Sequence, residues 1–119
     1  DRPISAWTYI VTYPIFGDRP VNWHVFSLLL RWGTSAALWW TLVRLLPANR
    51  REALWTSALF AIYPVFLQQY TSVAYSQHWI CYLLFFLSLG FMVEAQRARI
   101  AALHAHRAAV ADLFRALGG

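Results

Sequence analysis

Residues 53–93 read ALWTSALFAIYPVFLQQYTSVAYSQHWICYLLFFLSLGFMV, and these 41 residues include no Asp, Glu, Lys or Arg. As a single helix they would be about 60 Å long, whereas the hydrocarbon core of a bilayer is about 30 Å thick. The stretch therefore predicts two membrane-spanning helices, at 53–69 and 75–93. We expect the turn between them at the polar residues 68–72 or at 76–78.

A third apolar stretch, residues 22–46, precedes this region and ends at Pro47. A helix of that length reaches about 37 Å and can cross a bilayer with some tilt. The composition agrees with membrane burial, because 60% of the residues are hydrophobic and 13% are charged, whereas soluble domains carry about 25% charged residues. We predict an all-α integral membrane protein with about three transmembrane helices within residues 21–93.

The positive charge of the chain predicts its orientation. All ten basic residues are arginines, and seven of them lie in the segments 44–52 and 94–119. Cytoplasmic loops of membrane proteins carry an excess of basic residues. We therefore predict a multi-pass protein of the cell membrane with these two segments in the cytoplasm and the start of the chain outside. A partner nucleic acid is not predicted, because the arginines flank apolar runs and form no basic stripe on a solvated domain.

The two ends of the chain are predicted to lie beside the membrane. Residues 1–20 are apolar and aromatic but too short to span, and Pro14 and Gly17 are expected to break them. Aromatic side chains are favoured at the headgroup level, so this segment is predicted to be external and interfacial. Residues 94–119 place apolar side chains at helical spacing, which predicts an amphipathic cytoplasmic helix.

Arg31 is the first candidate for a functional contact, because it lies nine positions into the first span. A charge at that depth costs at least about 2.5 kcal/mol unless it has partners. His24, Ser27 and Ser35 share its helical face. This polar stripe, with Arg19, is a candidate to contact an anionic group such as a lipid phosphate, or to form a proton or pigment site. The alternative is that partner transmembrane helices satisfy Arg31 structurally.

Four further residues are candidates for chemistry. His24 and His78 are candidate ligands for a pigment, although interfacial histidines are common without any ligand. Asp1 and Asp18 are the only acidic residues on the predicted external side and are candidate general bases. Asp18 also suits an ordinary turn before the first span. The sequence contains no metal-ligand spacing, so we predict no metal site, and it identifies no cofactor.

Three segments suggest a family. The residues DRP open the chain, GDRPVNWH at 17–24 leads into the first span, and ALFAIYP occupies 58–64. This order of parts resembles the amino-terminal half of GT-C type membrane glycosyltransferases, the class that includes dolichyl-phosphate-mannose protein mannosyltransferases. The resemblance implies a lipid-phosphate-linked sugar donor, an essential acid at Asp1 or Asp18, and a phosphate held by Arg31 or Arg19.

Members of that class have many more spans, so the resemblance also implies that the chain is a fragment of a polytopic protein. The other hypothesis is a non-catalytic accessory subunit of a larger membrane complex, respiratory or photosynthetic. Such a subunit would pack against partner helices, lipid or pigment. Three spans bury their own polar stripe poorly, and both hypotheses therefore predict contact with the lipid bilayer and with further transmembrane helices.

Overall fold

The computed structural model describes residues 3–63 and 72–118, and these residues fold entirely into helices and short turns. The helices are α1 (Pro3–Phe16), α2 (Pro20–Leu45), α3 (Arg50–Ile62) and α4 (Ser72–Ala116). The molecule is elongated, with extents of 76 × 32 × 24 Å. The predicted all-α class is confirmed.

Helices α2 and α4 lie side by side and run in the same direction. The Thr34 hydroxyl donates to the carbonyl of Trp79 at 3.2 Å, and the Thr41 hydroxyl donates to the carbonyl of Phe86 at 2.8 Å. Both pairs are 45 positions apart, so the contacts advance together along both helices. Helix α3 packs against α2. Helix α3 also contacts α4, because the Phe60 ring centroid lies 5.9 Å from the ring centroids of both Trp79 and Phe86. Each of the three helices therefore contacts the other two.

Helix α4 is one continuous element of 45 residues, which corresponds to about 67 Å. Within the described ranges, Ser76–Ala116 is the helix that is long and apolar enough to cross a membrane. The predicted third span and the predicted cytoplasmic helix are therefore parts of a single helix. The chain has no proline after Pro64, and the loss of apolar character at Glu94 does not interrupt the backbone hydrogen bonds.

The second predicted span ends earlier than expected. Helix α3 stops at Ile62, not at residue 69, and Tyr63 adopts extended angles of φ −50° and ψ 124°. Proline disfavours the helical conformation of the residue before it, and Pro64 follows. The candidate turn at 76–78 is wrong, because these residues lie inside α4. Of the alternative turn, residues 68–71 lie outside the described part of the chain.

Pro14 does not break the first segment. It lies in the last turn of α1, and the helix continues to Phe16. Only the bond that its own missing N–H would donate is lost there. The helix ends where the Gly17 N–H donates to the Tyr13 carbonyl at 2.8 Å. Gly17 has φ +59°, a left-handed conformation that glycine adopts without a steric cost and that commonly ends helices.

The distribution of polar and apolar side chains is inverted relative to a water-soluble protein. Among the residues whose burial is described, four hydrophobic residues are buried, and two of them are alanines. In the same set, five residues with hydroxyl side chains are buried: Thr34, Ser35, Thr41, Ser57 and Ser76. Thirty large hydrophobic residues of that set are exposed. Water-soluble folds bury large apolar side chains first, and the described residues depart from that pattern.

Candidate functional site

A groove runs between α2 and α3. It consists of two adjoining cavities of about 230 and 310 Å³, which share Trp32, Ala58 and Ala61 as lining residues. We call it the Arg31 groove. Its other lining residues are Leu28, Arg31, Ser35, Ala36 and Trp39 from α2, and Leu54, Ser57 and Ile62 from α3. The described lining residues are apolar apart from one arginine and two serines.

The arginine in this groove lacks an acceptor among the described residues. Its Nε atom is buried and makes no hydrogen bond there. The guanidinium carbon lies 5.7 Å from the centroid of the Trp79 ring, within the range of a cation–π contact. Arginine keeps its charge and presents five N–H donors. The face of the Trp79 ring attracts the positive charge of the Arg31 guanidinium. The ring does not accept a hydrogen bond from the buried Nε–H group.

The two serines add little polarity to the groove, because each donates to its own helix. The Ser35 hydroxyl donates to the Arg31 carbonyl at 3.0 Å, and the Ser57 hydroxyl donates to the Ala53 carbonyl at 2.7 Å. Hydroxyls on helices commonly satisfy themselves in this way. Among the described residues that line the groove, Arg31 therefore supplies the only charge.

Of the other members of the predicted polar stripe, Ser35 lines the Arg31 groove, whereas His24, Ser27 and Arg19 do not. Ser27 is half-buried, and His24 is exposed. Both lie on α2 with Arg31, but over the described part of the chain no hydrogen bond connects their side chains to it. Arg19 is exposed just before α2. The structure therefore places Ser35, apolar side chains of α3 and the Trp79 ring around Arg31, and leaves His24, Ser27 and Arg19 apart.

Asp18 lies in the exposed turn between α1 and α2. Its Oδ1 atom accepts a hydrogen bond of 2.6 Å from the Tyr13 hydroxyl. This hydrogen bond, followed by the negative charge of Asp18, raises the pKa of the Tyr13 phenol above 10.0. Asp1, the other candidate acid, lies outside the described residues. The predicted general-base role of either aspartate stays a prediction.

The same turn is fixed by two side chains from the start of α2. The Asn22 amide donates to the Phe16 carbonyl at 2.9 Å, and the Trp23 indole donates to the Gly17 carbonyl at 3.0 Å. The Trp23 ring also stacks on Tyr9, with centroids 5.7 Å apart. These bonds satisfy carbonyls at the end of α1 that have no partner in their own helix. The turn thus holds Asp18 at a defined position beside α1.

The candidate pigment ligands are exposed on different helices, His24 on α2 and His78 on α4. No group of three metal-ligating side chains occurs within residues 3–63 and 72–118. Cys81 is exposed on α4. The pigment role of the histidines is untested and stays a prediction.

The contacts between α2 and α4 include residues that the sequence did not single out. Besides the two threonine bonds, Arg44 Nε lies 2.6 Å from Glu94 Oε1. The Arg44 guanidinium also lies 3.7 Å from the Trp40 ring centroid. A spacing of seven residues between Thr34 and Thr41 was a usable signal, because seven residues are about two helical turns and return to nearly the same face.

Comparison of the chain with family models, with curated proteins and with solved structures finds no match. The resemblance to GT-C type glycosyltransferases therefore stays a prediction, as do the roles that it implies for the aspartates and arginines. Two structural observations bear on function: the inverted distribution of polar side chains and the single charge in the Arg31 groove.

Proposed function

We propose that the chain is the membrane-embedded, helix-packing part of a larger membrane protein or complex. The observation that carries this proposal is the inverted burial. Hydroxyl side chains such as Thr34 and Thr41 lie between the helices, whereas large hydrophobic side chains before Glu94, such as Leu29, Leu59 and Phe85, are exposed. In lipid, helix association depends on close packing and interhelical hydrogen bonds, because lipid tails are as apolar as the side chains. Small and hydroxyl residues are therefore favoured at helix contacts, as they are here.

The path of the chain supports three crossings. Helix α2 has 26 residues, or about 39 Å, which is enough to cross the hydrocarbon core. Helix α4 runs parallel to it, so a chain that crosses in α2 must return before α4 begins. We place that return between the end of α2 at Leu45 and the start of α4 at Ser72. Arg31 and Arg44 lower the apolar character of α2, but the first half of α4 has no such charge.

Beyond Glu94, α4 leaves the proposed membrane. Its 45 residues exceed the length needed for one crossing by more than twofold. The segment 94–118 is exposed throughout and carries Arg97, Arg99, Arg107 and Arg115. This excess of positive charge favours the cytoplasmic side. The second half of α4 is then a rigid helix that extends about 33 Å from the membrane surface and is available to further domains or partners.

Single-cysteine labelling tests the proposed topology. In a Cys81→Ser background, we would introduce Asp18→Cys, Asn49→Cys or His106→Cys and treat intact cells with a membrane-impermeant maleimide. We expect label at residue 18 in intact cells, and at residues 49 and 106 only after permeabilisation. Alkaline carbonate should leave all three variants in the membrane pellet. Release by carbonate, or equal labelling of residues 18 and 49 in intact cells, would contradict the proposal.

A glycosyltransferase is the second candidate, favoured by one exposed acid on the proposed external side. Asp18 would accept the proton of the acceptor hydroxyl, and Arg19, exposed just before α2, would hold the phosphate of the lipid-linked sugar donor. The test uses membranes that contain the natural polypeptide, with polyprenyl-phosphate mannose as the donor. Asp18→Asn should abolish transfer, whereas Asp112→Asn, on the exposed end of α4, should not. Equal transfer by both variants would exclude Asp18 as the base.

A further inference from the structure

We infer that the Arg31 groove receives a transmembrane helix that carries a carboxylate at the depth of Arg31. This inference rests on the proposed membrane embedding and adds the chemistry of the partner. The occupant is a helix of the same polypeptide beyond this chain or of another subunit. In either case an Asp or Glu side chain would accept hydrogen bonds from the Arg31 guanidinium.

Charge complementarity is the first argument. Arg31 is half-buried, and its Nε has no acceptor in the described parts of the chain. A guanidinium does not lose its proton in proteins, so neutralisation by deprotonation is not open to it. Its planar donor pattern matches a carboxylate, which accepts two parallel hydrogen bonds. A carboxylate would therefore supply both the missing acceptor and the opposite charge.

The rest of the groove fits the side of a helix. Ala36, Ala58 and Ala61 line it, and the two serines turn their hydroxyls back to their own helices. Small residues let helix backbones approach closely in membranes. The larger rings of Trp32 and Trp39 also line the groove. An apolar helix with one acidic residue satisfies both the small-residue surface and the single charge.

The depth of Arg31 favours a helix over a lipid phosphate. Arg31 is eleven positions after Pro20, the first residue of α2, which places it about 16 Å along the helix axis. The half-thickness of the hydrocarbon core is about 15 Å, so Arg31 lies near the middle. Phosphates belong to the headgroup region at the surface. A helix can carry a carboxylate at any depth, because its backbone polar groups are satisfied internally.

Association with designed peptides in vesicles tests this inference. The probes are Leu/Ala transmembrane peptides of about 21 residues with Glu, Gln or Leu at the centre. The 119-residue chain, labelled at Asn49→Cys in the Cys81→Ser background, is placed in phosphatidylcholine vesicles at pH about 8, above the usual carboxyl pKa. Energy transfer to labelled peptide measures association. We expect the Glu peptide to associate about tenfold more strongly than the Leu peptide, with Gln between them.

Three variants identify the source of that preference. Arg31→Met should remove it by removing the charge, and Ala58→Trp should weaken all three peptides by filling the groove. Arg99→Met is the matched control, because it removes an exposed arginine outside the groove and should leave the preference intact. A preference that survives Arg31→Met, or equal association of all three peptides with the unchanged chain, would overturn the inference.

Binding of a lipid in the Arg31 groove would give a different experimental result. If the peptides associate equally but Arg31→Met lowers the retention of phosphatidylglycerol by the purified chain, the groove binds lipid and the helix inference is wrong. Carbonate extraction of the same vesicles separates this result from failure of the proposed function. A chain that stays inserted but shows no peptide preference refutes the helix partner alone, whereas a chain that is extracted refutes both proposals.

Discussion

Trp40 packs directly on Gly90, where the indole of α2 occupies the space that a side chain on α4 would need. A Cβ atom at residue 90 would overlap the Trp40 ring. The ring is also held by Phe91, with centroids 5.3 Å apart, and by the Arg44 guanidinium above it. The close approach of α2 and α4 at this level therefore depends on the absence of a side chain at one position.

Gly90→Ala should separate the two helices or force Trp40 out of its position. Overpacking of this kind costs about 1–3 kcal/mol in the free energy of unfolding, which exceeds the gain of up to about 1 kcal/mol from replacing a helical glycine. The measurement is denaturant unfolding in detergent micelles. Gly33→Ala is the matched control, since no atom lies within 4 Å of its added Cβ. Equal stability of the two variants would contradict this account.

The charge-free run of residues 53–93 predicted helices, and the all-α class is confirmed, whereas the number of membrane crossings stays a prediction. The same reasoning predicted that the helix beginning near residue 75 ends at residue 93, whereas α4 continues to Ala116. A change from apolar to charged residues at Glu94 changes which surroundings suit the helix. It does not end the helix, because a helix ends only where its backbone hydrogen bonds stop. With no proline after Pro64, the absence of a breaker was visible in the sequence, and it predicts the continuous α4.

The Arg31 groove was only half predictable. The depth of Arg31 follows from its position in the chain, and so does the need for a partner. Its actual neighbour, Trp79, is 48 positions away, and nothing in the spacing of α2 specifies which face of α4 it meets. Likewise, the sequence shows the seven-residue spacing of Thr34 and Thr41. It does not show which carbonyl groups accept hydrogen bonds from their hydroxyls. Such contacts depend on the packing of the helices, which local patterns do not determine.

The Thr41 hydroxyl gives a direct test of helix contact. Thr41→Val keeps the shape and removes the bond to the Phe86 carbonyl, so stability should fall by about 0.6 kcal/mol, the average for interhelical bonds in membranes. Thr56→Val is the control, because the Thr56 hydroxyl is exposed and donates to the Glu52 carbonyl of its own helix. Unfolding in micelles compares the two variants, and an equal or smaller loss for Thr41→Val would argue against the parallel packing of α2 and α4.

The bond between Tyr13 and Asp18 predicts a pH dependence in the turn between α1 and α2. Its donor is the neutral phenol, and the bond raises the pKa of Tyr13 above 10.0. The bond therefore contributes to stability below pH 10.0 and is lost as the pH rises through the raised pKa.

Ultraviolet titration of tyrosinate tests this prediction. The difference between the unchanged chain and Tyr13→Phe isolates the titration of Tyr13, and a midpoint above 10.0 is expected. In an Asp18→Ala background, the corresponding difference should show a lower midpoint, because the carboxylate charge and acceptor have been removed. An unchanged midpoint would mean that Asp18 does not accept this bond.

The ion pair between Arg44 and Glu94 connects α2 to α4 at the proposed cytoplasmic boundary. Their side chains are 28% and 44% exposed, so water and salt weaken the attraction, and a coupling of at most about 1 kcal/mol is expected. A double-mutant cycle of Arg44→Met and Glu94→Gln measures it through unfolding in micelles. The pair of Arg115 and Asp112, 3.3 Å apart and 81% and 72% exposed, should give almost no coupling. Raising the salt concentration should reduce the first coupling, and a salt-independent value would mean that Arg44 acts through packing on Trp40 instead of through its charge.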